Sequence, residues 1–524
     1  QRKLCLVFEV QDEQKNRNRY FKTLHSVAEH LSLCVTGRST RVFKVIEVGG
    51  FDDLAPVRGA KNKILKYVWL DAEAKTEREI QESIFKDLDK FAKKLEDRCK
   101  RKDDEREQHE QESELPEFYE VPEEDKKMLC AILSRPENYK RYFLTIDCDQ
   151  QGFESKPLSP DAKIKDGIFT RVAPSTVSAT LPHADTSRSH QMSAMSPPQA
   201  EGNVPRQPRD YVAKRQYRVV FDEVCEALQN VQELKTVIRG MKDCVTGLQL
   251  MFLAGWVHRD ISGGNMLWFS GTETDGRGIL SDLEYAKKFD PEGQGSADPK
   301  TGTPFFMPIE IQRQIHIYEP TKETKFRGLP LLSAIEESES PRMIHNFQHD
   351  LESLFWVFLW TITVRAGNEK TRQHVAQIFQ QDSHCSRERE LVITAGRELV
   401  RELEGLMPQE LKEFLGPIRV FSYVLMNGYL SRHFELGKLS TYSELYGFVR
   451  TLLSQCLDIA EILDIRLLPV GSSREETQAK AVRASAPQTR KRTRASTKAD
   501  AGSGSRKSQR ISEQARSARG RTNA

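Results

Sequence analysis

His258-Arg259-Asp260 is followed by Asn265, five residues after the aspartate, and then by the apolar run Met266–Phe269. These residue types at this spacing suit one kind of chemistry. A carboxylate can accept or orient the proton of an attacking hydroxyl, and an amide oxygen on the same loop can hold a metal that bridges phosphates. Both groups must leave one loop in fixed relation, and a strand directly after Asn265 anchors that loop. A second apolar run, Gly278-Ile279-Leu280, leads into Asp282, 17 residues beyond Asn265. Upstream, Ile64-Leu65-Lys66-Tyr67-Val68 places Lys66 on the strand face of Ile64 and Val68. A lysine among apolar neighbours needs an anionic partner. Glu77 can supply one, because Ile80 and Ile84 follow at plus three and plus seven, as an inward-facing helix requires; Glu79 is the alternative. The plainer reading, a surface lysine and a solvated glutamate, stays open at this point.

Regular elements must hold these groups. Thr40–Val48 is rich in β-branched residues and partly alternates, which predicts a strand; Asn62–Trp69, Arg141–Ile146 and Tyr217–Phe221 are further strands. Glu73–Leu95 carries Ile80, Ile84, Leu88 and Phe91 at spacings of four, four and three, a helix. Val231–Leu253, Leu351–Val364 and Tyr442–Leu463 also read as helices. Strands with one helix come first and helices dominate afterwards, the order of an α+β fold.

Three more stretches complete a pattern. They are Gly37-Arg38-Ser39-Thr40-Arg41-Val42-Phe43, Thr301-Gly302-Thr303-Pro304-Phe305-Phe306-Met307-Pro308-Ile309-Glu310, and His349-Asp350-Leu351-Glu352-Ser353-Leu354-Phe355. With the catalytic-type loop His258–Asn265, they make the chain resemble the protein kinases, and specifically the fungal-type protein kinase family, over roughly residues 30–465. The resemblance implies a bilobal protein-kinase-like fold, with a small β-sheet lobe with one helix over 31–225 and a larger helical lobe over 226–468; residues 1–30 read as an extension before it, and the tail over 469–524 is left unexplained by it. It implies ATP and Mg2+ as cofactors and a protein substrate. Asp260 would orient the hydroxyl, Asn265 and Asp282 would hold magnesium, and Lys66, paired with Glu77, would position the phosphates. Gly37 stands where the phosphate loop belongs, and Glu223 and Val224, in the linker Val219–Val224, would offer backbone groups to adenine. Arg259 would pair with a phosphorylated activation segment, for which Thr301 and Thr303 are candidate acceptors or simple turn residues. Asp350 would hold the catalytic loop, or act as a helix N-cap.

The sequence departs from the pattern at three places. Only the first glycine of G-x-G-x-x-G is present; Asp282-Leu283-Glu284 replaces D-F-G; and Ser262 stands where serine/threonine kinases usually carry lysine. Glu284 could assist a second metal or face solvent, and solvent is the reading adopted. Three functions follow: a protein serine/threonine kinase, favoured by Arg259 beside Asp260; a small-molecule phosphotransferase, favoured by Ser262; and a pseudokinase or scaffold, favoured by the reduced glycine loop and Asp-Leu-Glu.

Composition sets the outer bounds. The chain has 524 residues with 79 Lys+Arg against 76 Asp+Glu, which excludes a global polyanion binder. The charge is uneven. Residues 471–524 hold 14 basic and 4 acidic residues, and residues 1–470 hold 65 and 72. The tail, with Arg490-Lys491-Arg492-Thr493-Arg494 and no aromatic residue, is expected to be disordered and is a candidate for import-receptor or nucleic-acid contact. Pro174–Pro208, with six Pro and six Ser, reads as a disordered insert, and Arg101–Lys127 as an exposed acidic connector. The nine cysteines form no C-x-x-C pair, which argues for a reducing, intracellular setting such as the cytoplasm, and the expectation of a nuclear location rests on the basic tail alone. The apolar run Leu354–Trp360 is too short to span a membrane, and Gln1-Arg2-Lys3-Leu4-Cys5 does not resemble a secretory signal.

Overall fold

The structure, a computed structural model, describes residues 5–12, 15–29, 39–104, 115–155, 213–271, 276–292, 304–317, 343–380, 385–432 and 435–470. The chain divides into a unit over residues 1–471 and a second over 472–524, the latter outside the described residues.

Six antiparallel strands form one sheet: β1 (Val7–Asp12), β2 (Arg17–Glu29), β3 (Arg41–Val48), β4 (Asn62–Asp71), β5 (Ile146–Glu154) and β6 (Lys214–Phe221), in the order β1-β2-β3-β4-β6-β5. The sheet curls until its edges meet: Gln11 N–H donates to Gln150 Oε1 at 3.2 Å and Arg218 Nη1 to the Glu9 carbonyl at 2.7 Å. Inside the curl pack Val10, Phe21, Phe43, Val45, Leu65, Cys148 and Val220. The opposite face carries Val68, Leu70, Tyr217, Val219 and Phe221, and covers Ile279 from a later strand. Lys66 shares that second face with Val68, as period-two alternation requires. Residues 1–30 were expected to be an extension; instead β1 and β2 are full members of the sheet. Their sequence hides this, because much of β2 is polar and its outward face needs no apolar residue.

α1 (Glu77–Asp104) buries Ile80, Ile84, Leu88 and Phe91, the spacing read from the sequence. It begins after Thr76, whose hydroxyl accepts from Glu79 N–H at 3.2 Å while Glu79 accepts from Thr76 N–H at 2.7 Å, a reciprocal cap. Next come α2 (Glu123–Leu133) and α3 (Pro136–Lys140). The expected connector over 101–127 is only partly that. Leu115, Phe118 and Val121 are buried in the main core, so this acidic stretch docks through its few apolar residues. The expected strand Arg141–Ile146 is also corrected. β5 begins at Ile146, and Phe143 and Leu144 are buried as the chain runs in, with one isolated bridge from Phe143 to Leu280.

The helical part is built around α4 (Leu234–Leu253), buried on nearly every side. The short strands β7 (Glu226–Ala227), β8 (Trp256–Val257), β9 (Met266–Phe269), β10 (Arg277–Leu280) and β11 (Lys287–Lys288) lie beside it. Gly278 is required there, since a Cβ would run into the Gly240 carbonyl oxygen of α4. Then follow α5 (Ile309–Arg313), α6 (Phe347–Trp360), α7 (Glu369–Val375), α8 (Arg387–Thr394), α9 (Gly396–Glu404), α10 (Leu415–Arg432) and α11 (Ser440–Leu463). The apolar run Leu354–Leu359 is fully buried in α6. Cys5, Cys130, Cys148, Cys225, Cys244, Cys385 and Cys456 are free thiols, and among the described residues no helix is long and apolar enough to cross a membrane. The α+β class therefore holds.

Candidate active site

The loop between β8 and β9 carries His258, Arg259, Asp260 and Asn265. Asn265 Nδ2 donates to the Asp260 carboxylate at 2.9 Å and to the Asp260 carbonyl at 2.8 Å. This fixes the amide, with its oxygen as the remaining acceptor. Ser262 Oγ accepts from Gly264 N–H at 3.3 Å and Asn265 N–H at 3.2 Å, so the serine found in place of lysine builds the turn itself.

Beneath the loop, Asp350 accepts from His258 N–H at 2.7 Å and Arg259 N–H at 2.9 Å. Burial opposes its charge, but these bonds and the neighbouring His345 hold Asp350 below the usual carboxylate range. Asp350 is not the N-cap. That role belongs to Asn346, whose side chain accepts from Gln348 N–H at 3.1 Å, and α6 starts at Phe347. His258 is fully buried, and burial lowers its pKa, so it is neutral. Its Nδ1 accepts from Asp260 N–H at 3.3 Å, which places the proton on Nε2, 3.1 Å from the Ser281 carbonyl. Arg259 holds φ at 72°, a left-handed conformation that the Asp350 bonds must sustain.

Asp282 follows β10, also left-handed, at φ 62° and ψ 56°. That bend directs its carboxylate to Lys66, with Nζ at 2.7 Å. Lys66 reaches Glu77 at 3.0 Å and Glu284 at 3.4 Å. The alternative partner, Glu79, is committed to the helix cap. One ammonium thus faces three carboxylates. Burial works against its charge, yet Asp282, Glu284 and Glu77 overcome this and hold Lys66 well above the ordinary lysine range. Burial pushes Glu77 upward, and Lys66 pulls against that. The solvent-facing reading of Glu284 is overturned: its side chain is 7% exposed and turned inward. The turn Leu283–Tyr285 after a left-handed Asp282 aims it there, a geometry that residue types alone do not reveal. The one signal was a carboxylate standing where glycine was expected.

α1 is also tied to β8 and β11. Asp87 accepts from Trp256 Nε1 at 3.0 Å and Lys288 Nζ at 2.8 Å.

Glu223, expected near adenine, has a buried side chain that accepts from Thr145 N–H and Oγ1, both at 2.8 Å, with Arg277 at 3.6 Å. Val224 follows it at the end of the sheet. Gly37, Thr301 and Thr303 lie outside the described residues.

The family described as fungal protein kinase matches residues 3–362, well over half of the chain, and the chain belongs to that family. None of the curated proteins matches. Among solved structures, the chain is similar to a structure of vaccinia related kinase 3, at 9% identity and a TM-score of 0.33, covering 86% of this chain and 90% of that one. The family places the chain among kinases, which are transferases, and implies ATP and typically a divalent metal.

Proposed function

We propose that the chain is an ATP- and magnesium-dependent protein kinase that transfers the γ-phosphate to Ser or Thr hydroxyls of proteins. The observation that carries this reading is the coupling of two rigid groups. Asp260 and Asn265 are locked to each other on one loop, and Asp282 is bonded to Lys66 at 2.7 Å. The sheet and the helical part would act as two lobes with the nucleotide between them, and backbone groups of Glu223 and Val224 beside adenine.

The donor set suits magnesium. Among the described residues no three His, Cys, Asp or Glu side chains are arranged to hold a metal. A magnesium shared with phosphates, however, needs only one or two protein oxygens, which Asn265 and Asp282 provide. The three carboxylates around Lys66 would repel a polyphosphate, and a divalent cation, when bound, neutralises that charge. The chain's own residues do the rest. Asp260 accepts the acceptor hydroxyl's proton as the oxygen–phosphorus bond forms and the bond to the bridging oxygen breaks, releasing ADP. Lys66 steadies the phosphates once Asp282 yields it to them, and Glu77 keeps its ammonium in place. His258 and Asp350 hold the loop's geometry. Arg259 beside Asp260 favours a protein over a small-molecule acceptor.

Phosphoamino acid analysis of a basic protein labelled by the chain tests the acceptor class. Phosphoserine and phosphothreonine are expected; label confined to phosphotyrosine or to small molecules would contradict it. The basic tail we assign to import-receptor or nucleic-acid contact, on charge alone.

A further inference from the structure

The turn after Asp282 is clamped at three points. Leu283 N–H donates to Glu77 Oε1 at 3.3 Å, the Leu283 side chain is buried in the main core, and the Tyr285 carbonyl accepts from Arg259 Nη1 at 3.4 Å. Glu284 stands between these clamps, so its backbone is fixed. Its buried carboxylate reaches Lys66 Nζ at 3.4 Å. Asp282 is held less closely, with a side chain 27% exposed.

A lysine ammonium has three donors. Glu77, Asp282 and Glu284 stand 3.0, 2.7 and 3.4 Å from that of Lys66, one carboxylate for each donor. A phosphate oxygen reaches Lys66 only where one of them gives way. Asp282 has room to turn. Glu77 is fixed from a second side by Leu283 N–H. Glu284 stays with its clamped turn, so an anion arriving at Lys66 meets a fixed negative charge in a buried place, where water and salt screen it least. Glycine, the residue of the kinase pattern at this position, would place no charge there.

We infer that Glu284 is a specificity-determining residue for the nucleotide: it keeps uncomplexed ATP off Lys66, and admits ATP whose phosphate charge is already offset by a divalent cation. This rests on the protein-kinase reading above, in which Lys66 meets the phosphates. The test is titration calorimetry of ATP with the full chain, in EDTA and in magnesium. Wild type is compared with Glu284→Gln, which removes the charge at nearly the same size, and with Glu284→Gly. In EDTA, Glu284→Gln should bind ATP about tenfold tighter than wild type or more, because a like charge beside a bound anion costs at least that much. In magnesium most of that difference should vanish. Glu284→Gly should gain in the same way, and it is read alone if the Gln variant does not fold. Equal affinities in EDTA would overturn the role. So would variants that lose affinity in magnesium and gain none in EDTA, the result for a carboxylate that serves as a metal ligand. Equal losses in both conditions, the result for a purely structural side chain, would overturn it too. Inorganic tripolyphosphate separates this inference from the kinase reading, because it carries no adenine. If neither wild type nor variants bind ATP with magnesium, the kinase reading falls, and melting with tripolyphosphate in EDTA still decides the role of Glu284. Stabilisation of the variants beyond that of wild type would support it, and no difference among the three proteins would overturn it.

Discussion

His345 lies under the catalytic loop, its side chain 8% exposed and its Nε2 3.6 Å from Asp350, beyond hydrogen-bond length. Burial pushes its pKa down to about 4, and His258 is lowered for the same reason. A histidine with a folded pKa below its unfolded value of about 6.5 binds more protons when unfolded. Its presence therefore costs stability as pH falls from 6.5 towards 4. Glu310 adds to this lower down. Burial opposes its charge, but His316 and His349 hold it at about 2, so its contribution is lost below about 4.5. The melting temperature should fall steadily from pH 6.5 to pH 4, and His345→Gln should flatten part of that slope. A flat profile for the wild type would contradict the neutral, buried assignment. At this scale the Lys66–Glu77 contact was legible, because alternation and helical spacing set the directions of the two side chains, and the Asp260–Asn265 contact followed from their spacing on one loop. Where Glu284 points was not legible, because that depends on one left-handed residue, Asp282.

Among the elements, the loop His258–Asn265 is a turn held from two sides, by Ser262 within it and by Asp350 of α6 beneath it. Ser262→Ala should cost about 1 kcal/mol in denaturant unfolding, and Ser262→Lys, which brings in the residue usual in serine/threonine kinases, should lower activity because it also removes the turn. Higher activity in Ser262→Lys would show that the loop does not depend on the serine. Strands with alternating burial and helices with one apolar stripe were legible. The strand β2 was not, because few of its residues are apolar. Phe143 and Leu144 misled because a run buried by packing looks like a strand when only residue types are read.

For the molecule as a whole, the α+β order of strands, then helices, was readable from periodicity, and the division near residue 470 from charge and the loss of aromatics. The closing of the sheet by its N-terminal strands was not readable, since it rests on pairing across distant segments. A chain ending at Val470 keeps every described residue and should melt within about 2 °C of the full chain. It should also lose nuclear enrichment if the tail contacts import receptors; an unchanged distribution would remove that role. The central claim concerns the union of Asp260, Asn265, Asp282 and Lys66 in one phosphoryl-transfer site. Its most direct test is transfer of radiolabelled phosphate from ATP with magnesium to a basic protein, wild type beside Asp260→Asn. Transfer by the wild type, reduced about 10²- to 10⁴-fold in the variant, is the expected result. Equal transfer by both proteins, or none by the wild type together with no magnesium-dependent ATP binding, would contradict it.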